Sequence, residues 1–221
     1  MASETLFDAG CTRCGRLAEY LRRARREHPD YHARPVAPFG PERARLLIVG
    51  LAPGMHGANR TGRPFTGDFA GVLLYSALHR HGFASHAGSA DPHDGLRLID
   101  CRITNAVKCV PPENKPMPAE VRNCNSYLRA ELARIRPEVT FALGRVAHQA
   151  ILMALEQRVA GTPFAHGTWH ELPGGLQLVD SYHCSRYNTQ TRRLTEEMFM
   201  AVVGGIRRYL DGHGRKGAGT V

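Results

Sequence analysis

A parallel β-sheet covered by helices on both faces is the fold this sequence predicts, and three observations predict it. Short apolar runs, among them "ARLLIVGL", "EVTFALG" and "LQLVDSYH", read as strands buried on both sides. Segments with helical spacing of apolar residues alternate with these strands, which is the pattern of a layered α/β domain. The chain has 221 residues, 43% of them hydrophobic, enough for one buried core and too few for two. Residues 1–210 are therefore read as a single domain and residues 211–221, "DGHGRKGAGTV", as a disordered tail.

Residues 11–27, "CTRCGRLAEYLRRARRE", place Leu17, Tyr20 and Leu21 at helical spacing opposite a basic face. A turn-rich connector follows, "HPDYHARPVAPFGPE", with prolines at 29, 35, 38 and 41, and after it the strand "ARLLIVGL". Next come the glycine-rich stretch "GLAPGMHGANRTGRPFTGD" and a helix, "FAGVLLYSALHRHGF". "LRLIDCRITNAVKC" holds a strand ending near Thr104 to Val107. "MPAEVRNCNSYLRAELARIRP" is a helix with Pro118 near its start and a stop at Pro137. The strand "EVTFALG" breaks at Gly144, the helix "RVAHQAILMAL" follows, and "LQLVDSYH" is a further strand. "LTEEMFMAVVGGIRRYL" closes the domain as a helix that Gly204 and Gly205 should weaken.

Charge and cysteine usage narrow the class. The formal net charge is +9, from 29 Lys and Arg against 20 Asp and Glu, so an anionic partner is expected, nucleic acid first. No run approaches the roughly 18 apolar residues of a membrane span, and "MASETLFDAGC" lacks the basic and apolar regions of a signal peptide. No membrane association, a cytoplasmic location and a monomer are expected. Six cysteines in such a chain are read for metal or chemistry rather than for disulfides. Cys11 and Cys14 form a CxxC, and Cys109 and Cys124 flank "VPPENKPMPAEVRN"; four such soft ligands suit zinc or an iron–sulfur cluster.

In open parallel sheets, ligands bind beyond the carboxyl ends of the strands. The segments there are 50–68, 105–109, 144 onward and 182–188. They supply the carboxylate Asp68, the amide Asn105, the imidazole His183, the aromatic Phe65 and several arginines. Asp68 also reads as a cap for the helix that follows it, and Phe65 as core. The glycine-rich loop is neither a Walker A motif nor GxGxxG, yet glycines let backbone N–H groups converge on an anion or on the polar edge of a flat ring.

Four stretches together, "GLAPGMHGANRTGRPFTGD", "TNAVKCVPPENKPMPAEVRNCNSYL", "FALGRVAH" and "HCSRYNTQTRRLT", resemble the uracil-DNA glycosylase superfamily. More narrowly they resemble its iron–sulfur branch, with family 5, the type B enzymes, the nearest match. The resemblance runs over about residues 11 to 209 with the motifs in order. It implies a three-layer α/β/α sandwich with a mainly parallel sheet, and hydrolysis of the N-glycosidic bond of uracil in DNA to leave an abasic site. It also implies a [4Fe-4S] cluster on Cys11, Cys14, Cys109 and Cys124, and activity on other deaminated bases such as hypoxanthine.

The resemblance assigns roles to single residues. As the C1′–N bond lengthens, the sugar gains positive and the base negative charge, so a carboxylate by the sugar and donors by the base favour the transition state. His183 matches the histidine of an HPS-type motif and would donate to uracil O2. Asn105 would read the base edge, and Phe65 would stack on the base against a backbone of Gly50, Ala52 and Gly54. Asp68 matches the acidic residue of the family 5 loop and would position water or stabilise the sugar cation. Family 4 enzymes carry a Glu where this chain reads "GLAPG", which argues against that branch. Cys184 stands where the HPS pattern has proline, which questions the rigidity of that loop. Arg186, Tyr187, Asn188, Arg192 and Arg193 follow His183 and would fill the space left by a flipped base and hold flanking phosphates. A non-catalytic nucleic-acid-binding module with a four-cysteine metal site is the competing reading, and it leaves Asp68, Asn105 and His183 idle.

Overall fold

Strands of five residues with no polar gap, such as Leu46–Gly50 (β1) and Val139–Leu143 (β3), have every residue buried, as a sheet covered on both faces requires. A computed structural model describes residues 7–213. Cys101–Asn105 (β2), Trp169–Glu171 (β4) and Gln177–Ser181 (β5) complete a five-stranded sheet of order β2-β1-β3-β5-β4. The first four strands run parallel, and β4 pairs antiparallel on the outer edge of β5.

Alternate residues of each strand point to opposite faces. Leu46 and Ile48 of β1 join Ile103, Phe141 and Val179 in one core, covered by the helices Phe69–Arg80 (α3) and Glu196–Gly212 (α7). Leu47 and Val49 join Ala142 and Leu178 in the other, under Gly15–Glu27 (α1), Pro118–Ile135 (α4) and Arg145–Ala154 (α5). The result is the expected α/β/α sandwich.

Local chemistry sets the helix ends. Asp68 caps α3 by accepting from Gly71 N–H at 2.8 Å. Pro118 opens α4, while Arg136, left-handed at φ 50°, and Pro137 end it. α1 buries Leu17, Leu21 and Ala24; Tyr20 is only half-buried, with the Arg23 guanidinium 4.8 Å above its ring. α7 runs through Gly204 and Gly205, and Gly204 is buried where a methyl group would sit 2.9 Å from His81 Cε1, so a small residue permits close packing there. The helix also runs through Gly212, taking Asp211 and Gly212 out of the expected tail; residues 214–221 lie outside the described residues. Two further short helices, Ala58–Thr61 (α2) and Arg186–Gln190 (α6), sit in the loops at the carboxyl ends of the strands. Among the described residues no helix is long and apolar enough to cross a membrane.

The register gathers the site. Gly50 pairs with Asn105, and Leu143 with Ser181, so the loops leaving β1, β2, β3 and β5 emerge side by side.

Candidate active site

The loop after β1 closes over its own strand end. Gly50 is packed so tightly that a Cβ there would collide with Asn105 Oδ1 and stand 2.6 Å from Phe65 Cζ. Phe65 itself is buried and left-handed at φ 55°. Such a conformation is strained for an aromatic residue and persists only where its surroundings over-determine it. Arg63 supplies that constraint. Its buried guanidinium donates to Thr66 Oγ1 (2.7 Å), Ser89 Oγ (2.9 Å), two backbone carbonyls and both oxygens of Asp94 (3.0 and 2.7 Å). Tyr75 Oη donates to Pro64 O at 2.7 Å. Loop and first helical turn are thereby locked together.

A cavity of about 580 Å³ opens at this end of the sheet, and Phe65, Asp68, Asn105 and His183 all line it. The Phe65 and His183 rings lie 6.0 Å apart and 30° from parallel. Ala52 and Gly54 are in the lining as expected, whereas Gly50 stands behind it and makes room for Asn105 and Phe65. Asn105 is 3% exposed, and its Oδ1 is buried without a hydrogen-bond partner. An orphaned buried amide is costly in a closed protein and points to a ligand that completes it.

Burial sets the charge states. Removal from water pushes the Asp68 carboxyl above its ordinary value, opposed by the N–H groups of Gly71 and Ala70. Its Oδ2 faces Gly57 and Gly54 across the loop. His183 is half-exposed to the cavity and otherwise enclosed, and this desolvation lowers its pKa to about 4, so the imidazole is neutral at physiological pH. Asn188 Nδ2 donates to the His183 carbonyl at 2.8 Å. The unexpected Cys184 is fully buried in the core beneath, where it serves as a small apolar residue.

The basic stretch after His183 divides. Arg186 lines the cavity with its guanidinium 5.1 Å above the Phe69 ring, Asn188 lines it too, and Tyr187 projects at 71% exposure. Arg192 does not reach the cavity; it lines a neighbouring groove, and Arg193, over the Tyr182 ring at 4.6 Å, takes the position at the mouth. Arg145 and Tyr182, from the strand-end segments, also line the cavity, as do Asn114 and Phe164, which the sequence did not single out. Asn114 comes from the Cys109–Cys124 loop and is left-handed at φ 56°, a conformation asparagine tolerates well.

Cys11, Cys14, Cys109 and Cys124 line one small pocket of their own, and all six cysteines are free. Donors are aimed at three of the four sulfurs: Arg13 Nε at Cys11 (3.4 Å), Asn123 Nδ2 at Cys14 (3.7 Å) and Lys108 N–H at Cys124 (3.3 Å). Burial, together with the negative charge the other thiolates would carry, pushes Cys109 up to about 12. Four thiols around one pocket, three of them with a hydrogen-bond donor on the sulfur, are the donor chemistry that a thiolate-binding metal centre needs. Cys101 and Cys184 belong to the apolar core of the opposite face.

Comparison with known proteins agrees with this architecture. The family model described as the uracil DNA glycosylase superfamily matches residues 37–205. The chain is 48% identical to a Type-5 uracil-DNA glycosylase of Thermus thermophilus over 206 residues, covering 90% of this chain and 93% of that protein. It is 43% identical to a Type-5 uracil-DNA glycosylase of Pyrobaculum aerophilum over 199 residues, 87% and 86% of the two chains. With a Type-4 uracil-DNA glycosylase of Archaeoglobus fulgidus it shares 36% identity over 176 residues, 76% and 79% of the two chains.

Proposed function

The chain belongs to the uracil DNA glycosylase superfamily, and on that premise we propose that it hydrolyses the N-glycosidic bond of uracil in DNA, leaving an abasic site. The observation that carries the assignment of residues is the convergence of Asp68, Asn105, His183 and Phe65 on one cavity, where Asn105 Oδ1 is buried without a hydrogen-bond partner.

The flipped base stacks on Phe65 and completes the Asn105 amide. As the C1′–N1 bond breaks, its electron pair leaves with the base, and the neutral His183 ring donates a hydrogen bond to the oxygen where charge accumulates. Donation from a neutral imidazole suits a leaving group that departs as an anion. Asp68, on the sugar side, stabilises the cation and accepts the proton of the water that adds to C1′. Asn114 offers a second amide to hold that water. Arg186, Asn188 and Arg193 flank the mouth and meet the strand around the flipped nucleotide, with the exposed Tyr187 beside them in the chain and Arg192 in the neighbouring groove. A cavity of about 580 Å³ leaves room for a bicyclic base, which supports activity on hypoxanthine as well as uracil.

The four cysteines around one pocket support a [4Fe-4S] cluster as the resident group. Bound there, it supplies structural cross-linking, since hydrolysis transfers no net electron. Cys109 and Cys124 bracket the loop that carries Asn114, so this chain's own thiolates fix one wall of the cavity. A monomeric cytoplasmic enzyme acting on the chromosome is consistent with this reading.

Single-turnover uracil release from a labelled duplex, with alkali to reveal abasic sites, tests it. Wild type should release uracil, and His183→Ala should be slower by about 10²-fold. Salt-sensitive binding without release would favour the non-catalytic module instead.

A further inference from the structure

The rim of the glycine-rich loop carries a side chain that the reaction above leaves unused. His56 lies between Gly54 and Ala58, both in the cavity lining, and its imidazole is exposed. Exposed histidines ordinarily sample several rotamers, yet this ring is held by two others. Its Nδ1 is 2.9 Å from Tyr31 Oη. The ring stands edge-on to Tyr31 (6.0 Å, 85°) and to His28 (5.8 Å, 85°), and those two rings stack on each other at 4.4 Å. From the loop side, the exposed Arg60 donates through Nε to the His56 carbonyl at 2.8 Å.

In the tautomer that accepts from Tyr31 Oη at Nδ1, the ring proton sits on Nε2. Nε2 makes no hydrogen bond among the described residues. The Tyr31 and His28 rings thus hold the exposed His56 imidazole in place and leave its Nε2 without a protein partner among the described residues. The donor stands at the rim rather than the floor of the cavity, beside a guanidinium, in a chain of net charge +9. That setting suits the backbone of the nucleic acid and not the base.

We propose that His56 is a phosphate-binding residue. Its Nε2–H donates to a non-bridging oxygen of the lesion strand beside the flipped nucleotide, and Tyr31, braced by His28, is its positioning residue. Contacts of this kind set the register of the strand without reading sequence. The proposal deepens the glycosylase reading and rests on it.

The test is single-turnover uracil release against enzyme concentration, using duplexes that carry one uncharged methylphosphonate at each phosphate flanking the uracil in turn. His56→Ala should raise the half-saturating concentration about tenfold, as expected for a lost hydrogen bond to a charged group, with a smaller change in the saturated rate. One methylphosphonate position should weaken wild type by a similar factor and weaken His56→Ala no further. Tyr31→Phe should show a smaller loss with the same positional signature. Independent, multiplying effects of His56→Ala and every methylphosphonate would overturn the proposal, as would a loss confined to the saturated rate. A wild type that binds but releases no uracil would strike the glycosylase reading alone, and the same comparison made on binding would still decide His56.

Discussion

Asp68 accepts from Gly71 N–H through Oδ1 while Oδ2 faces Gly54 and Gly57, so one carboxylate both caps α3 and lies in the cavity wall. Asparagine is as good a cap as aspartate but cannot take a proton from water. Asp68→Asn should therefore melt close to wild type and release uracil about 10²- to 10³-fold more slowly, whereas Asp68→Ala should also lose about 1 kcal/mol of stability. Circular dichroism melts beside single-turnover rates would check both. Because burial raises Asp68 above its ordinary value, the release rate should fall with acidification at a higher pH than a free carboxylate would give, and Asp68→Asn should abolish that dependence. His183 shifts the other way. Its folded pKa of about 4 lies below the ordinary 6.5, so its contribution to stability is present above about pH 6.5 and is lost as pH falls toward 4. Thermal melts from pH 7 to 4 should show a shallower acid decline in His183→Gln. These residues were legible because strand ends mark them. Asn114 and Phe164 were not, because no apolar period runs through the turns that carry them.

Loop and helix act as one part through α3. A methyl group at Gly71 would collide with the Phe65 carbonyl, so the first turn of α3 can lie against the strained Phe65 only if it lacks a side chain. Gly71→Ala should destabilise the fold by about 2 kcal/mol despite alanine's better helix propensity, and should weaken uracil release by displacing Phe65. Urea titration and the release assay read the two effects separately. At this scale the sequence spoke clearly where an element is apolar. "LLIVG" and "VTFAL" are strands by composition alone, and α3, α4, α5 and α7 follow from their periodicity. It was silent on β4, whose Trp169, His170 and Glu171 are too few to show alternation, and on α6, "RYNTQ", which buries no residue. What specifies β4 is remote: His170 Nε2 bonds Asp180 Oδ2 at 3.2 Å, and His148 Nδ1 bonds Asp180 Oδ1 at 2.8 Å, a pairing that spacing along the chain cannot reveal.

For the molecule as a whole, the formal net charge is +9, and three of its arginines, Arg145, Arg186 and Arg193, line the cavity at one end of the sheet. Affinity for duplex DNA should fall with salt with a log–log slope of about −0.9 per phosphate neutralised, and Arg186→Ala should reduce that slope by about one. Fluorescence anisotropy over a salt series would measure it. The cysteine pocket has a different bearing. Cys14 stands at the threshold of α1 and Cys109 just beyond β2, so a group that holds both closes a chain loop of roughly ninety-five residues. Such a closure acts on the denatured ensemble, removing freedom worth about 4 to 5 kcal/mol when treated as a disulfide of that span would be. The two layers on either side of the sheet would then have unequal debts to it: α1 is tethered from its first turn, while α3 and α7 carry no cysteine of that pocket and are the elements that should open first in native-state hydrogen exchange.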